Sequence, residues 1–154
     1  MNVGHILKNK AYAIHSVGAD TRLPEAIKAM FECGCGSLVI LQQGTLRGII
    51  TERDILWMAN VHIHDFGTIK VGDIMTEKVV TCSPDCSIEE AMRLMTKNYP
   101  DKLLRYLPVM VKDQLVGVIS LGDAIQTLLQ ETKFENRLLK HYIKKWPEEE
   151  QQEA

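Results

Sequence analysis

The segment Gly48-Ile49-Ile50-Thr51-Glu52-Arg53-Asp54 is answered, at an offset of 69, by Gly117-Val118-Ile119-Ser120-Leu121-Gly122-Asp123. In each copy a glycine lets another backbone pass closely and an apolar run reads as the end of a strand. A hydroxyl residue then stands where helix N-caps are preferred, with a carboxylate three residues further on. The repetition extends outward from this element. Val3-Gly4-x-Ile6 matches Val71-Gly72-x-Ile74 at an offset of 68, and Asp20, Ala26 and Met30 match Asp85, Ala91 and Met95 at 65. The growth of the offset from 65 to 69 puts four extra residues in the second copy, within Tyr99-Pro100-Asp101-Lys102-Leu103-Leu104. One structural unit occurs twice.

Both copies spell the same elements. Leu23, Ala26, Ile27, Met30 and Phe31 recur at helical spacing, as do Ile88, Ala91, Met92 and Met95, so each unit contains an amphipathic helix. Ser87 followed by Glu90 reads as a capping box for the second of these. Leu38–Leu41 and Leu46–Ile50 about Gln42-Gln43-Gly44, then Leu107–Val111 and Leu115–Ile119 about Lys112-Asp113-Gln114, read as hairpins. Short strands near Ala13–Ser16 and Val79–Thr81 add a third strand to each. The apolar spacing from Ile125 through Leu128, Leu129, Leu138, Leu139, Tyr142, Ile143 and Trp146 predicts a long C-terminal helix that stops before Pro147. The expected organisation is a first repeat with its connector over 1–68, a second repeat over 69–127, the helix over 128–146 and a disordered acidic tail over 147–154.

A three-stranded unit of about 50–60 residues covered on one face buries too little surface to stand alone. Packing two such units sheet to sheet removes the deficit, which predicts an α+β fold of two βαββα-type repeats related by a pseudo-twofold axis, with the long helix appended.

Composition narrows the function. Of 154 residues 45% are hydrophobic and 25% charged, the range of a globular protein. Eighteen Lys and Arg face twenty Asp and Glu, but Glu148, Glu149, Glu150 and Glu153 crowd the end, leaving residues 1–147 with eighteen basic against sixteen acidic side chains. So balanced a body has no footprint for nucleic acid or an anionic membrane, although a small basic pocket remains compatible with it. No apolar run reaches the roughly 18 residues of a spanning helix and no signal-peptide pattern opens the chain, so a cytoplasmic protein is expected. Cys33, Cys35, Cys82 and Cys86 are expected as thiols in that compartment; their C-x-C and C-x3-C spacings miss the paired C-x2-C of common zinc sites, and no metal is expected. His62 and His64 fall in a loop-like connector.

The repeated motif by itself is compatible with a capping box. Three features point beyond that. A helix N-terminus favours a phosphate. Asp is shorter than Glu, less suited to folding back on the cap and better suited to pointing outward, where it can accept from both hydroxyls of a ribose. Arg53 stands beside the first site; the matching position in the second copy is Gly122, and Arg105, just before Leu107-Pro108-Val109, is placed to supply that charge instead. The element reads as ribose plus phosphate, twice.

The chain resembles the cystathionine-β-synthase (CBS) domain family, as a stand-alone tandem pair, over nearly its whole length. The residues that carry the resemblance are Gly48-x-x-Thr51-x-x-Asp54, Gly117-x-x-Ser120-x-x-Asp123, Val71-x-Asp73-Ile74-Met75-Thr76 and Arg105-Tyr106-Leu107-Pro108-Val109. The ending Glu131-x-x-Phe134-Glu135-x-x-Leu138-x-x-x-Tyr142-Ile143 looks like the tail of small members with no attached enzyme. The resemblance implies a regulatory sensor of an adenosine-containing ligand, such as AMP, ADP, ATP, NAD or S-adenosylmethionine, with no required cofactor and with a separate regulated protein as partner. It implies that Asp54 and Asp123 hold ribose diols, Thr51 and Ser120 contact ribose or phosphate, and Arg53 and Arg105 meet phosphates. Backbone near Ile14–Ser16 and Lys78–Val80 would line the adenine, with Leu38, Leu107 and Pro108 as apolar walls. The insertion before Arg105 makes the sites inequivalent, and the second is expected to be the tighter.

Catalysis has little support, since Ser120 has no histidine near it in sequence and neither a phosphate-cradling nor a dinucleotide fingerprint is present. The rival readings are a ligand-free dimerisation or protein-interaction scaffold and thiol redox sensing through Cys33 and Cys35, for which the sequence shows no charge that would lower a thiol pKa. The terminal helix carries more apolar residues than its own unit needs, so a homodimer is predicted. Gel filtration at micromolar concentration should give a dimer mass, and elution as a monomer would refute the assignment.

Overall fold

The computed structural model describes residues 1–9 and 14–145, in the order α1 Val3–Asn9, β1 Ser16–Val17, α2 Leu23–Cys33, β2 Ser37–Gln42, β3 Thr45–Thr51, α3 Glu52–Val61, α4 Val71–Ile74, α5 Ile88–Thr96, β4 Tyr106–Val111, β5 Gln114–Ser120 and α6 Leu121–Lys144. A single 3-10 turn, Phe66–Thr68, lies in the connector, where His62 Nδ1 meets Asp65 at 3.2 Å on the surface. Ala13, Trp146 and the acidic tail lie outside the described residues.

Both hairpins form as their sequences predict. β2 pairs antiparallel with β3 and β4 with β5, and each pair slips register at the same place in the repeat, Ile40/Leu41 and Val109/Met110. Gln43 and Gly44 adopt φ of 52° and 78°, a left-handed pair favoured in two-residue hairpin turns, and Lys112 opens the matching turn of the second hairpin at 55°. β3 and β5 face each other between the units.

The third strands differ between the copies. β1 runs parallel to β2 with Ser16 opposite Val39 and Val17 opposite Ile40. In the second unit the expected strand Val79–Thr81 is absent, and a single parallel bridge joins Cys82 to Val109. The cause is Pro108. Val39 N–H donates to His15 O at 3.3 Å, whereas Pro108 in the matching position has no N–H and cannot hold the carbonyl of Val80. Pairing therefore begins only beyond it, with Cys82 N–H to Pro108 O at 3.0 Å and Met110 N–H to Cys82 O at 2.8 Å.

Each hydrophobic core takes its first helix from the other copy of the repeat. Val71 of α4 is buried among Leu23, Ala26, Leu38, Ile40 and Ile50 of the first unit, and Val3 and Ile6 of α1 among Ile88, Ala91, Met95, Leu107 and Ile119 of the second. The exchange is held by matching backbone bonds: Val3 N–H to Cys86 O and Gly4 N–H to Pro84 O, both 2.8 Å, against Val71 N–H to Thr21 O at 2.8 Å and Gly72 N–H to Ala19 O at 2.9 Å. The motif glycines leave room for it. A Cβ at Gly48 would lie 2.6 Å from Met75 Sδ and 2.9 Å from the backbone oxygen of Thr76, and one at Gly117 would lie 2.6 Å from Leu7 Cδ2.

Two expectations are corrected here. Ile27 and Phe31 are 40% and 89% exposed, because α2 docks through the narrower stripe of Leu23, Ala26 and Met30. Cys33 and Cys35 are not free thiols but form a disulfide, since Gly34 closes α2 in the left-handed conformation, φ 65°, and brings their Cα atoms to 5.2 Å. Cys82 and Cys86 are free, and Ser87 Oγ accepts from Glu90 N–H at 3.0 Å, which is one half of the expected capping box; the Glu90 carboxylate instead accepts from Arg93 Nη1. α6 runs unbroken from the end of β5, with Leu129, Phe134, Leu138, Leu139, Tyr142 and Ile143 all more than half exposed. No helix among the described residues is long and apolar enough to cross a membrane.

The obstacle at Gly48 includes backbone, whereas at Gly117 it is the movable end of one leucine. Gly48→Ala should therefore cost about 1–3 kcal/mol, a fall of several degrees in Tm, and Gly117→Ala clearly less, in paired thermal melts.

Candidate functional site

The two motif turns open onto two separate clefts. β3 delivers Thr51 as the N-cap of α3, and β5 delivers Ser120 as the N-cap of α6. Asp54 Oδ2 accepts from Thr51 N–H at 2.9 Å and from Thr51 Oγ1 at 3.2 Å. Asp123 Oδ2 accepts from Ser120 N–H at 2.9 Å while Asp123 N–H donates to Ser120 Oγ at 3.0 Å. The expectation that the shorter acid would point away from the cap is thus corrected, because one carboxylate oxygen reaches the cap in both copies. Asp54 Oδ1 has no such bond among the described residues, so the cap orients this carboxylate and leaves an acceptor at the cleft.

The first cleft, about 480 Å3, gathers Thr51, Arg53, Asp54, Lys78, Val80 and Arg105. Arg105 was expected to serve the second copy; the structure places it in the same lining as Arg53, because its strand β4 begins beside α3. The extra residues of the second copy supply Lys102, Leu103 and Leu104 to this wall, with Leu104 N–H bonded to Met95 O at 2.9 Å. Val80 brings the carbonyl that Pro108 cannot bond, and no backbone donor among the described residues takes it.

The second cleft is smaller, about 320 Å3, and is lined by Ile14, His15, Cys35, Ser120 and Asp123 among others, with no arginine or lysine. Its matching carbonyl, that of His15, is already bonded to Val39 N–H. Ser16, Leu38, Leu107 and Pro108 line neither cleft, and Leu38 and Leu107, 1% and 0% exposed, belong to the two cores.

Tyr106 and Gly36 border both clefts. A Cβ at Gly36 would overlap the Tyr106 hydroxyl and lie 2.8 Å from Glu52 Oε1, so the missing side chain at Gly36 is what admits the phenol between the clefts. Burial, and then the charge of Glu52, push the Tyr106 hydroxyl above the usual tyrosine range, against a smaller opposing pull from Arg105. The phenol therefore remains a neutral hydrogen-bonding group at the partition. In the sequence Tyr106 stands out only as part of a motif and Glu52 not at all; the signal for both is the lone glycine, Gly36, where the second copy carries the large side chain of Arg105.

A pair of units with exchanged first helices, and a capped hydroxyl–carboxylate motif on each strand-to-helix turn, defines a known class. The chain belongs to the CBS domain family, whose description matches residues 5–58 and 71–130. It is 36% identical to the mitochondrial CBS domain-containing protein CBSX3 of Arabidopsis thaliana over 129 residues, 80% of this chain but 61% of that protein, so it spans about three-fifths of that relative's length. Among solved structures, a CBS-domain protein of Burkholderia ambifaria MC40-6 is 33% identical with a TM-score of 0.77, covering 84% of this chain and 95% of that one. CBSX2, solved in complex with AMP, has the same fold at 24% identity and a TM-score of 0.69, covering 85% of this chain and 98% of that one.

Coupling between Gly36 and Tyr106 is open to a double-mutant cycle. Gly36→Ala should lower Tm, and combined with Tyr106→Ala it should cost less than the sum of the single changes by about 0.5–3 kcal/mol.

Proposed function

We propose that this protein is a regulatory module that binds a phosphorylated adenosine ligand in the first cleft and conveys its occupancy to a separate protein. The observation that carries this reading is the convergence of Arg53 and Arg105 on the cleft that also holds Thr51, Asp54 and the open carbonyl of Val80. The cations meet phosphate, the free carboxylate oxygen of Asp54 accepts a ribose hydroxyl, and the Val80 carbonyl accepts from the exocyclic amine of adenine. The N-terminus of α3 adds its dipole at the phosphate end. None of these groups is arranged for bond-making, so the role is recognition. The AMP complex of CBSX2 agrees with this ligand class.

The order of the two sites expected from sequence is reversed in this proposal. Without a lysine or arginine in its lining and with its backbone acceptor already used, the second cleft is the weaker nucleotide site. The exposed apolar side chains of α6 support assembly into a homodimer through that helix.

A panel of adenosine, AMP, ADP, ATP, NAD and S-adenosylmethionine read by thermal shift tests the assignment. A ligand at 100 times its Kd should add about 2.7 kcal/mol and raise Tm by roughly 5–10 °C. Asp54→Asn should reduce the shift for every ligand, and Arg53→Ala with Arg105→Ala should reduce it more for the nucleotides than for adenosine. If no adenine compound at millimolar concentration moves the melt, the interaction scaffold suggested by α6 replaces this reading.

A further inference from the structure

His15, Cys33 and Cys35 each present a ligand atom, an imidazole nitrogen and two sulfurs, all within 4.8 Å of one another. They come together from two directions. Cys33 ends α2, and the turn at Gly34, with Cys35 N–H bonded to Met30 O at 3.0 Å, folds Cys35 back beside it. His15 is brought there by its carbonyl, which accepts from Val39 N–H of β2, the strand that follows Cys35.

We propose that, once the disulfide is reduced, His15, Cys33 and Cys35 form a zinc site, so that zinc and the Cys33–Cys35 bond exclude each other. Two thiolates and an imidazole are a soft nitrogen and sulfur donor set suited to zinc rather than to magnesium or calcium. Zinc–sulfur bonds of about 2.3 Å and zinc–nitrogen bonds of about 2.0–2.1 Å place tetrahedral donors roughly 3.5–3.8 Å apart, a spacing this cluster reaches once the sulfurs are released from each other. The C-terminal end of α2 directs its negative dipole at this point, which favours a cation. His15 is exposed and both cysteines are half-buried, so metal has access, and His15 and Cys35 also line the second cleft. The remaining cysteines are poor competitors: burial pushes the Cys82 thiol up to about 12 and raises that of Cys86 as well.

The exchange balances. A dithiol reductant attacks the disulfide, gives up two electrons and closes to its own cyclic disulfide, leaving two thiols. Zinc then displaces the two thiol protons. In reverse, a hydroperoxide accepts two electrons from the thiolates and two protons from solvent to yield water and an alcohol, or a second water when it is hydrogen peroxide, as the Cys33–Cys35 bond forms and Zn2+ leaves. The site stands independently of the nucleotide assignment.

The test is a titration of reduced, chelator-stripped protein with Zn2+ against a chromophoric chelator under anaerobic conditions. One equivalent should bind per chain, with none bound after peroxide treatment. Cys35→Ser and His15→Ala should each weaken binding by more than the roughly 10–100-fold that loss of an outer-shell partner costs. Cys86→Ala should leave the titration unchanged. Co2+ should give a thiolate charge-transfer band that Cys33→Ser weakens and Cys33→Ser with Cys35→Ser abolishes. His15 is exposed, so its variant reports on binding even if a cysteine variant fails to fold. The proposal is overturned if the reduced protein does not compete for zinc, if His15→Ala binds as tightly as the parent, if Cys86→Ala loses the metal, or if the oxidised protein binds equally well.

Discussion

The structure depends on one exchange: each repeat completes the other's core with its own first helix. Val3 and Val71 are both fully buried, and burial of a side chain of this kind contributes about 1.5–3 kcal/mol. Neither unit retains its exchanged helix without the other. The backbone bonds from Val3-Gly4 to Cys86 and Pro84, and from Val71-Gly72 to Thr21 and Ala19, fix the pseudo-twofold relation between the units. The same exchange presses Leu7 onto β5 at Gly117 and Met75, with the Thr76 backbone, onto β3 at Gly48. Packing between the copies thus favours glycine at both positions, most strictly at Gly48, while the hydroxyl and carboxylate that follow them shape the cleft turns.

Departures from that symmetry differentiate the clefts. Pro108 removes one donor from β4, and the lost bond both shortens the third strand and releases the Val80 carbonyl. The additional residues before Arg105 build a wall for the first cleft, and the end of that segment carries the arginine to it. Gly36 yields its side-chain space to Tyr106, which separates the clefts instead of filling either one. A duplicated framework therefore supports one cationic cleft and one that is uncharged by lysine or arginine.

Much of this was legible in the chain. The capping motifs, hairpin turns and helical stripes are local signals that depend on neighbours a few residues away: Ser87 caps α5 and Gly44 takes the left-handed turn position that glycine favours. Phe31 was not legible, because periodicity gives the apolar side of a helix but not the width of the contact it makes. Asp54 and Asp123 showed the limit of arguing from side-chain length, since a three-residue reach is short enough for either acid to meet the cap. Arg105 lines the first cleft and not the second, which its distance in sequence from Asp123 does not reveal, because that distance says nothing about which turn its strand begins beside. His15 stands apart from Cys33 in sequence, and no spacing rule joins them.

By itself the sequence determined the duplicated α+β unit, its strand-to-helix motifs and the membership of its family, because hydrophobic periodicity, turn chemistry and capping act over short stretches and are written twice. Tertiary structure alone decided which first helix fills which core, which arginine faces which carboxylate, and that His15 meets Cys33 and Cys35. Those outcomes depend on long-range packing and on single absences, the N–H missing from Pro108 and the side chain missing from Gly36, whose consequences appear only when another strand lies alongside.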